Sequence, residues 1–425
     1  MSSWSIYTPE GVQDILFNDC FVKKEIEAKS RNLFRSWGYL EVETPTIEFY
    51  DVFANQSDKS TQESMFKFFD NRGRILALRP DLTVPVARLA ATKLKDNSTS
   101  QRIFYIGNTF RYDVNGGGRQ KEFTQAGVEI HGHSTPESDA EVIATAINIL
   151  LESGLENFQI DIGQVEFFKG IMEDSGLDSN EVEQIRVLID SKDYLGVEEL
   201  VNSHDIKKDL KDLILSLPGM FGNIDFLNKV DKSNLNKRSI AALENLKDVL
   251  EILDDYGLSK YVSVDLGMVQ SIDYYTGIIF RGFTYGVGFP IVSGGRYDNL
   301  ISKFGKNTPA TGFSLGINFL MLALDRQKIE VTKPMVHSLV YTEGLGRKTA
   351  NMISNALRKQ GLNVEMYIGQ LDFKTATDYA KAKNIGGAIK VIDENNIEIV
   401  NLEDGNISKT SLSELLAEGD GKWDT

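Results

Sequence analysis

The chain has 425 residues, 41% hydrophobic and 25% charged, long enough for two or three domains with sizeable cores. Against 46 lysines and arginines stand 61 aspartates and glutamates, and the net charge of −15 argues against a nucleic-acid binder. A single cysteine, Cys20, excludes an intramolecular disulfide and any cysteine-cluster metal site.

The N-terminal MSSWSIYTPEGVQDIL lacks the basic start and apolar block of a secretory leader. No apolar run reaches the roughly 20 residues of a membrane span, so a cytoplasmic protein without membrane contact is expected. A helix is predicted over about 18–37, closed by Gly38, and the extended stretch YLEVETPTIE follows. Strand-like runs then recur at MFKFFD, RILALRP, RIFYIGNTFRYD and KEFTQAGVEIHG. The last two are joined by the glycine-rich VNGGGRQ, which suits a hairpin. After Pro136 a helix is predicted to Ser153. From about 170 to 257 Leu, Ile, Lys, Asp and Glu at helical spacing read as a helical insertion, interrupted at Pro218-Gly219. Strand signals return at YVSVDLG, YYTGIIFRGFTY and FPIVSGGRYD, and ATGFSLGINFLMLALDR reads as a buried helix. Near 331 a new unit begins, with a β-α-β-α-β-β order that predicts a small α/β domain and a partly parallel sheet. The domain expectation is therefore 1–330 and 331–425.

Several short stretches carry possible chemistry. In FRYDVNGGGRQKEFTQAGVEIHG, Arg111 sits beside a glycine loop, where a guanidinium could grip a phosphate. Gln125 and Glu129, four apart on a strand, share one face. A plain hairpin charged for solubility fits these residues equally well. In LALRPDLTVPVARLAAT, Asp81 and Thr83 open a helix, and simple capping by Asp81 needs no ligand. SGGRYDNL places two glycines before Arg296 and Tyr297; close ligand approach and an ordinary turn are both open. MVQSIDYYTG reads as a strand entrance whose tyrosines, Tyr274 and Tyr275, point opposite ways, one to a core and one to a cavity. GLGRKT lacks full P-loop spacing, and HGH lacks partners at metal-ligand spacing, so no metal site is expected.

Together these residues resemble class II aminoacyl-tRNA synthetases. GYLEVETP resembles motif 1, FRYD…GRQKEFTQAGVE motif 2, and ATGFSLGINFL stands in the place of motif 3. LRPDLT, IDYYTG and SGGRYDNL are similar to segments of histidyl-tRNA synthetases. The resemblance covers nearly the whole chain. It implies an α+β fold: an antiparallel sheet with flanking helices and a helical insertion, then a C-terminal α/β domain like an anticodon-binding domain. It also implies a histidine pocket. Arg111 matches the α-phosphate arginine, Gln125, Glu129 and Thr83 match contacts to the histidine amino group and imidazole, and Asp81 stands where synthetases carry glutamate. Tyr275 matches a phenol that bonds the imidazole, with Tyr274 beside it, and Tyr297 lines the same pocket.

Two cations of the synthetases are missing. Their R-G-L-D-Y-Y is Gln270-Ser271-Ile272-Asp273-Tyr274-Tyr275 here, and their motif 3 arginine is replaced by Phe319. A charge-assisted hydrogen bond is worth about 1.5–3 kcal/mol, so losing both disfavours adenylate formation. LRPDLTVPVARLAAT and KEFTQAGVE are close to segments of the synthetase-like regulatory subunits of short-form ATP phosphoribosyltransferases. That resemblance implies a non-catalytic subunit without cofactor, conveying feedback inhibition by L-histidine in the first step of histidine biosynthesis. It implies a self-dimer through the synthetase-like domain and a hetero-octamer of four plus four chains with a short catalytic subunit. Residues 331–425 carry 11 basic and 13 acidic residues, in keeping with a domain that holds no nucleic acid. The alternative is an active histidyl-tRNA synthetase.

Overall fold

The structure is a computed structural model describing residues 4–54, 59–97, 99–112, 120–269, 275–331, 335–342, 346–368, 372–402 and 404–417. Two compact units emerge, Met1–Glu330 and Val331–Thr425.

The first unit is built on a nine-stranded sheet. Its order is Leu40–Glu41, Gln101–Phe110, Glu122–His131, Ala310–Gly316, Val292–Arg296, Ile278–Thr284, Phe158–Gln164, Val262–Asp265 and Phe221–Gly222. The six strands from Gln101–Phe110 to Phe158–Gln164 pair antiparallel throughout. Leu40–Glu41 and Val262–Asp265 add on in parallel, so the sheet is mixed at its margins rather than wholly antiparallel. A separate antiparallel ribbon orders Ile47–Phe49, Ile75–Leu78 and Lys67–Phe69.

Helices Phe17–Ser36 and Pro136–Glu152 pack on this sheet, the latter burying nearly every residue between Ser138 and Leu150. Five helices occupy the stretch after the Phe158–Gln164 strand: Val165–Glu173, Ser179–Asp190, Tyr194–Asn202, Lys208–Ser216 and Lys237–Asp255. Polar side chains set their starts. Asp178 and Glu181 form a reciprocal capping box, and Asn236 caps the longest helix through the Ser239 N–H. Between them the short Phe221–Gly222 strand returns the chain to the end of the main sheet.

One expectation fails. Ala310–Gly316 is a strand, and the helix runs only over Ile317–Arg326. The strand is buried between two neighbours, so it lacks polar alternation and its apolar run merges with the helix that follows. Gly312 and Gly316, poor residues for a helix interior, mark the strand.

In the second unit, Val364–Met366, Ser338–Thr342 and Gly387–Val391 pair in parallel, and Ile397–Asn401 and Ile407–Thr410 extend the sheet antiparallel. Alternation along Leu339-Val340-Tyr341 assigns one side to each helix. Val340 packs with Ile353 and Leu357 of Arg347–Lys359, and Leu339 and Tyr341 with Ala376 and Ala380 of Phe373–Ala382. The fifth strand and a closing helix, Leu412–Ala417, go beyond the expected element order. No helix among the described residues is long and apolar enough to cross a membrane.

The strand Val292–Arg296 is tied to the helix behind it by a buried ion pair. Arg296 Nε and one terminal nitrogen donate to the two carboxylate oxygens of Asp139 at 3.1 and 3.0 Å, and that nitrogen also donates to Ser138 Oγ at 2.8 Å. Burial pushes the Asp139 carboxyl up, and the guanidinium charge beside it pulls the other way. Arg296 is thereby an architectural residue. Asp139→Asn leaves this guanidinium buried against a neutral amide, and the first unit is expected to lose about 3 kcal/mol or more in urea unfolding. A change below about 1 kcal/mol contradicts this role.

Candidate functional site

One face of the main sheet is floored by glycine. The strand registers place Gly107 opposite Gln125, Gly127 opposite Tyr105, and Gly312 opposite both Glu129 and Gly295. A Cβ added at Gly312 falls 1.6 Å from Glu129 Oε2. At Gly127 it falls 2.6 Å from Tyr105 Oη, and at Gly107 2.6 Å from an Arg79 nitrogen. The polar side chains therefore lie flat across neighbouring backbone instead of projecting from the sheet.

Glu129 is the centre of this layer and is 1% exposed. Its Oε1 accepts from the Tyr105 hydroxyl at 3.0 Å and its Oε2 from the Tyr297 hydroxyl at 2.5 Å. Tyr105 Oη is 3.4 Å from Thr83 Oγ1, and Tyr297 Oη is 3.4 Å from His131 Nε2. Burial pushes the Glu129 carboxyl up to about 8; the hydrogen bonds from Tyr297 and Tyr105 oppose that rise, and the charge of Asp81 adds to it. At neutral pH the unliganded carboxyl is protonated. Burial likewise raises Asp81, against the pull of Arg111. Asp81 Oδ1 accepts the Val84 N–H at 3.0 Å, so it caps the Thr83–Thr92 helix while its charge acts on Glu129.

The other expected residues surround this centre. Arg111 Nε donates to the Pro80 carbonyl at 2.7 Å, and its guanidinium carbon lies 6.0 Å from the Phe123 ring centre. Gln125, on the same strand face as Glu129, keeps its buried Oε1 without a partner. Tyr275 is buried in an apolar cluster with Met268, Ile279 and Tyr297, over Gly295, and its carbonyl accepts from Lys169 Nζ at 3.3 Å. It precedes the strand, which begins at Ile278. Tyr274 and Gln270 lie outside the described residues.

Asp81, Thr83, Glu129 and Tyr297 thus join one group, with Gln125, Arg111 and Tyr275 at its borders. Tyr105 and His131 belong to it and were missed. Tyr105 pairs with Gly127, midway between Gln125 and Glu129, and His131 stands two residues past Glu129 on the same face. Both follow from strand alternation once the register is known. Arg79 is anchored instead, donating to the Asn108 and Thr44 carbonyls at 2.8 and 2.5 Å.

The surroundings of Arg111 are aromatic. Phe319 stacks on Phe123 with ring centres 5.6 Å apart at 22°, and meets Phe289 edge-on at 4.6 Å. Asn318 secures this corner, accepting the Thr124 N–H at 2.9 Å and donating to Gln120 at 2.7 Å. The arrangement can hold a small cationic donor against Glu129 and Gln125. Beside Arg111, Phe319 supplies no positive charge.

Two outcomes test this geometry. Gly312→Ala forces the Glu129 carboxylate aside, and is expected to cost about 3 kcal/mol or to abolish soluble protein, read by thermal unfolding. The folded state also holds the Glu129 proton longer than the unfolded chain, whose value is near 4.5. Its stabilising contribution is full below about pH 4.5 and is lost as pH rises to about 8, at up to about 1.4 kcal/mol per pH unit. Glu129→Gln should flatten that slope in unfolding curves; an unchanged slope would show that another group carries it.

Comparison with known proteins places this geometry. A family model described as histidyl-tRNA synthetase matches residues 11–320. A protein of Acetivibrio thermocellus named ATP phosphoribosyltransferase regulatory subunit is 64% identical over 98% of this chain and 100% of its own length. A crystal structure from Bacillus halodurans, described as an ATP phosphoribosyltransferase regulatory subunit/histidyl-tRNA synthetase, is 30% identical. It aligns with a TM-score of 0.81 over 92% of this chain and 99% of that one. A histidyl-tRNA synthetase from Nostoc sp. PCC 7120 shares the fold at 21% identity, with a TM-score of 0.82 over 98% of this chain and 99% of that one.

Proposed function

Because this chain belongs to the histidyl-tRNA synthetase-like family of ATP phosphoribosyltransferase regulatory subunits, we propose that it works by reading histidine in the Glu129 pocket and passing that signal to a catalytic partner. The partner is a short-form ATP phosphoribosyltransferase catalytic subunit, bound in an assembly of four plus four chains. Histidine favours one arrangement of the assembly, and the free energy coupling the two sites lowers catalysis at the first step of histidine biosynthesis. The observation that carries the pocket is the acceptor wall of Asp81, Thr83, Gln125 and Glu129, with the buried Gln125 Oε1 still lacking a donor. Asp81, Thr83, Gln125 and Glu129 receive the ammonium group and imidazole N–H, Tyr275 and Tyr297 line the ring, and Arg111 lies toward the carboxylate; Tyr274, next to Tyr275 in the sequence, is assigned to the same set.

The subunit forms no histidyl adenylate and needs no cofactor. Gln270 and Phe319 stand where the synthetases carry arginine, and Phe319 is held in an aromatic stack rather than toward a phosphate chain. Self-association runs through the first unit. There Leu40 on the sheet margin and Phe49 and Phe69 on the three-stranded ribbon are exposed. The net charge of −15 fits a cytoplasmic subunit that binds no nucleic acid.

Calorimetry of L-histidine with the full chain, alone and assembled with the catalytic subunit, tests the pocket. Binding is expected to release about one proton at pH 7 as Glu129 ionises against the ligand's positive charge, seen as a dependence of the heat on the buffer. Tyr275→Phe should weaken binding up to about tenfold. If neither form takes up histidine while the assembled enzyme is still inhibited, the effector sits elsewhere. The rival reading, an active histidyl-tRNA synthetase, predicts histidine-dependent ATP–pyrophosphate exchange; this account predicts none.

A further inference from the structure

The hydrogen bonds around Glu129 have a direction, and His131 sets one end of it. Once Glu129 is ionised, as it is against a cationic ligand, the Tyr297 hydroxyl gives its proton to Glu129 Oε2 at 2.5 Å, so its oxygen accepts from His131 Nε2, 3.4 Å away. If Nε2 carried a lone pair, two acceptors would face each other, and the imidazole proton would sit on Nδ1. Nδ1 is buried and has no hydrogen-bond partner. A buried unpaired N–H is costly, so the proton belongs on Nε2 and the Nδ1 lone pair is the one left bare. The ring stays neutral: burial, with the Lys306 charge nearby, pushes its pKa down to about 4.

We propose that His131 is a positioning residue of the histidine pocket. Its Nε2–H polarises Tyr297 toward Glu129, so the carboxylate faces the ligand as an acceptor and selects a ligand that donates N–H. This rests on the reading of the pocket as a histidine site. The groups facing Glu129 are consistent with it. Tyr105 donates from the neighbouring strand and Tyr297 from beyond the Val292–Arg296 strand. Asp81 and Thr83 face it from the helix start, and His131 and Gln125 share its strand face. With Glu129 ionised, Tyr105 and Tyr297 both donate to the carboxylate, whereas the Gln125 Oε1 beside it is an open acceptor. An ammonium or imidazole N–H satisfies both; a ligand offering only acceptors meets repulsion.

The test is calorimetric titration of L-histidine into the full chain, alone and in complex with the catalytic subunit, between pH 6 and 9. His131→Phe fills the space without a donor. It is expected to weaken histidine about five- to tenfold and to move the pH at which affinity levels off upward, because the ionised carboxylate loses part of its support. His131→Gln, whose amide can donate to the same oxygen, should restore the wild-type midpoint and affinity within about twofold. In a Tyr297→Phe background, His131→Phe should cause little further loss. Should His131→Phe not fold, His131→Met set against His131→Gln makes the same comparison. A purely structural role lowers stability without moving the midpoint. Wild-type binding with an unchanged constant and midpoint in His131→Phe overturns the inference alone. A wild type that takes up no histidine, free or in complex, removes the pocket reading and this inference together.

Discussion

The first unit's chemistry depends on one constraint: a carboxyl group, Glu129, is buried flat against glycine backbone and held by two phenols. A carboxylate in that position is costly without donors, and Tyr105 and Tyr297 supply them from different parts of the chain. Gly312 and Gly127 leave room for Glu129 and Tyr105, where an added Cβ would collide with them. Tyr297 in turn follows Arg296 directly, so the Arg296–Asp139 pair that fixes the strand also fixes the phenol. The site and the fold therefore share their anchors.

Charge is distributed in keeping with a sensor rather than a catalyst. Cations near the pocket are occupied elsewhere: Arg79 by backbone carbonyls, Arg296 by Asp139, and Arg111 in part by Pro80. Around Glu129 the side chains of Asp81, Gln125 and Glu129 itself bring acceptor oxygens together. Near Arg111, Phe123, Phe319 and Phe289 pack on one another. Phe319 brings an aromatic ring, and no charge, to this corner of the first unit.

Much of this architecture is legible in the sequence alone. Gln125 and Glu129 share a strand face because their spacing is even, and the helices at 17–36 and 136–152 follow from their start and stop residues. What was hidden depends on register and tertiary contact. The Ala310–Gly316 strand looked helical because both its faces are buried, which erases alternation. Tyr105 and His131 acquire meaning only when the pairing of Gln101–Phe110 with Glu122–His131 is known. The arginine of SGGRY is an anchor rather than a ligand contact, since its partner Asp139 lies 157 residues away. Asp81 caps its helix, as the plain reading has it, and also lies close enough to Glu129 for its charge to act there.

The central claim, that this chain regulates rather than catalyses, is tested most directly by reconstitution. Turnover of a purified short ATP phosphoribosyltransferase catalytic subunit is measured with and without this chain, across a histidine titration. The account predicts that adding the chain raises turnover, that histidine then suppresses it, and that Glu129→Gln weakens the suppression while leaving the complex intact. Turnover indifferent to the chain, or histidine inhibition of equal strength with Glu129→Gln, would contradict it.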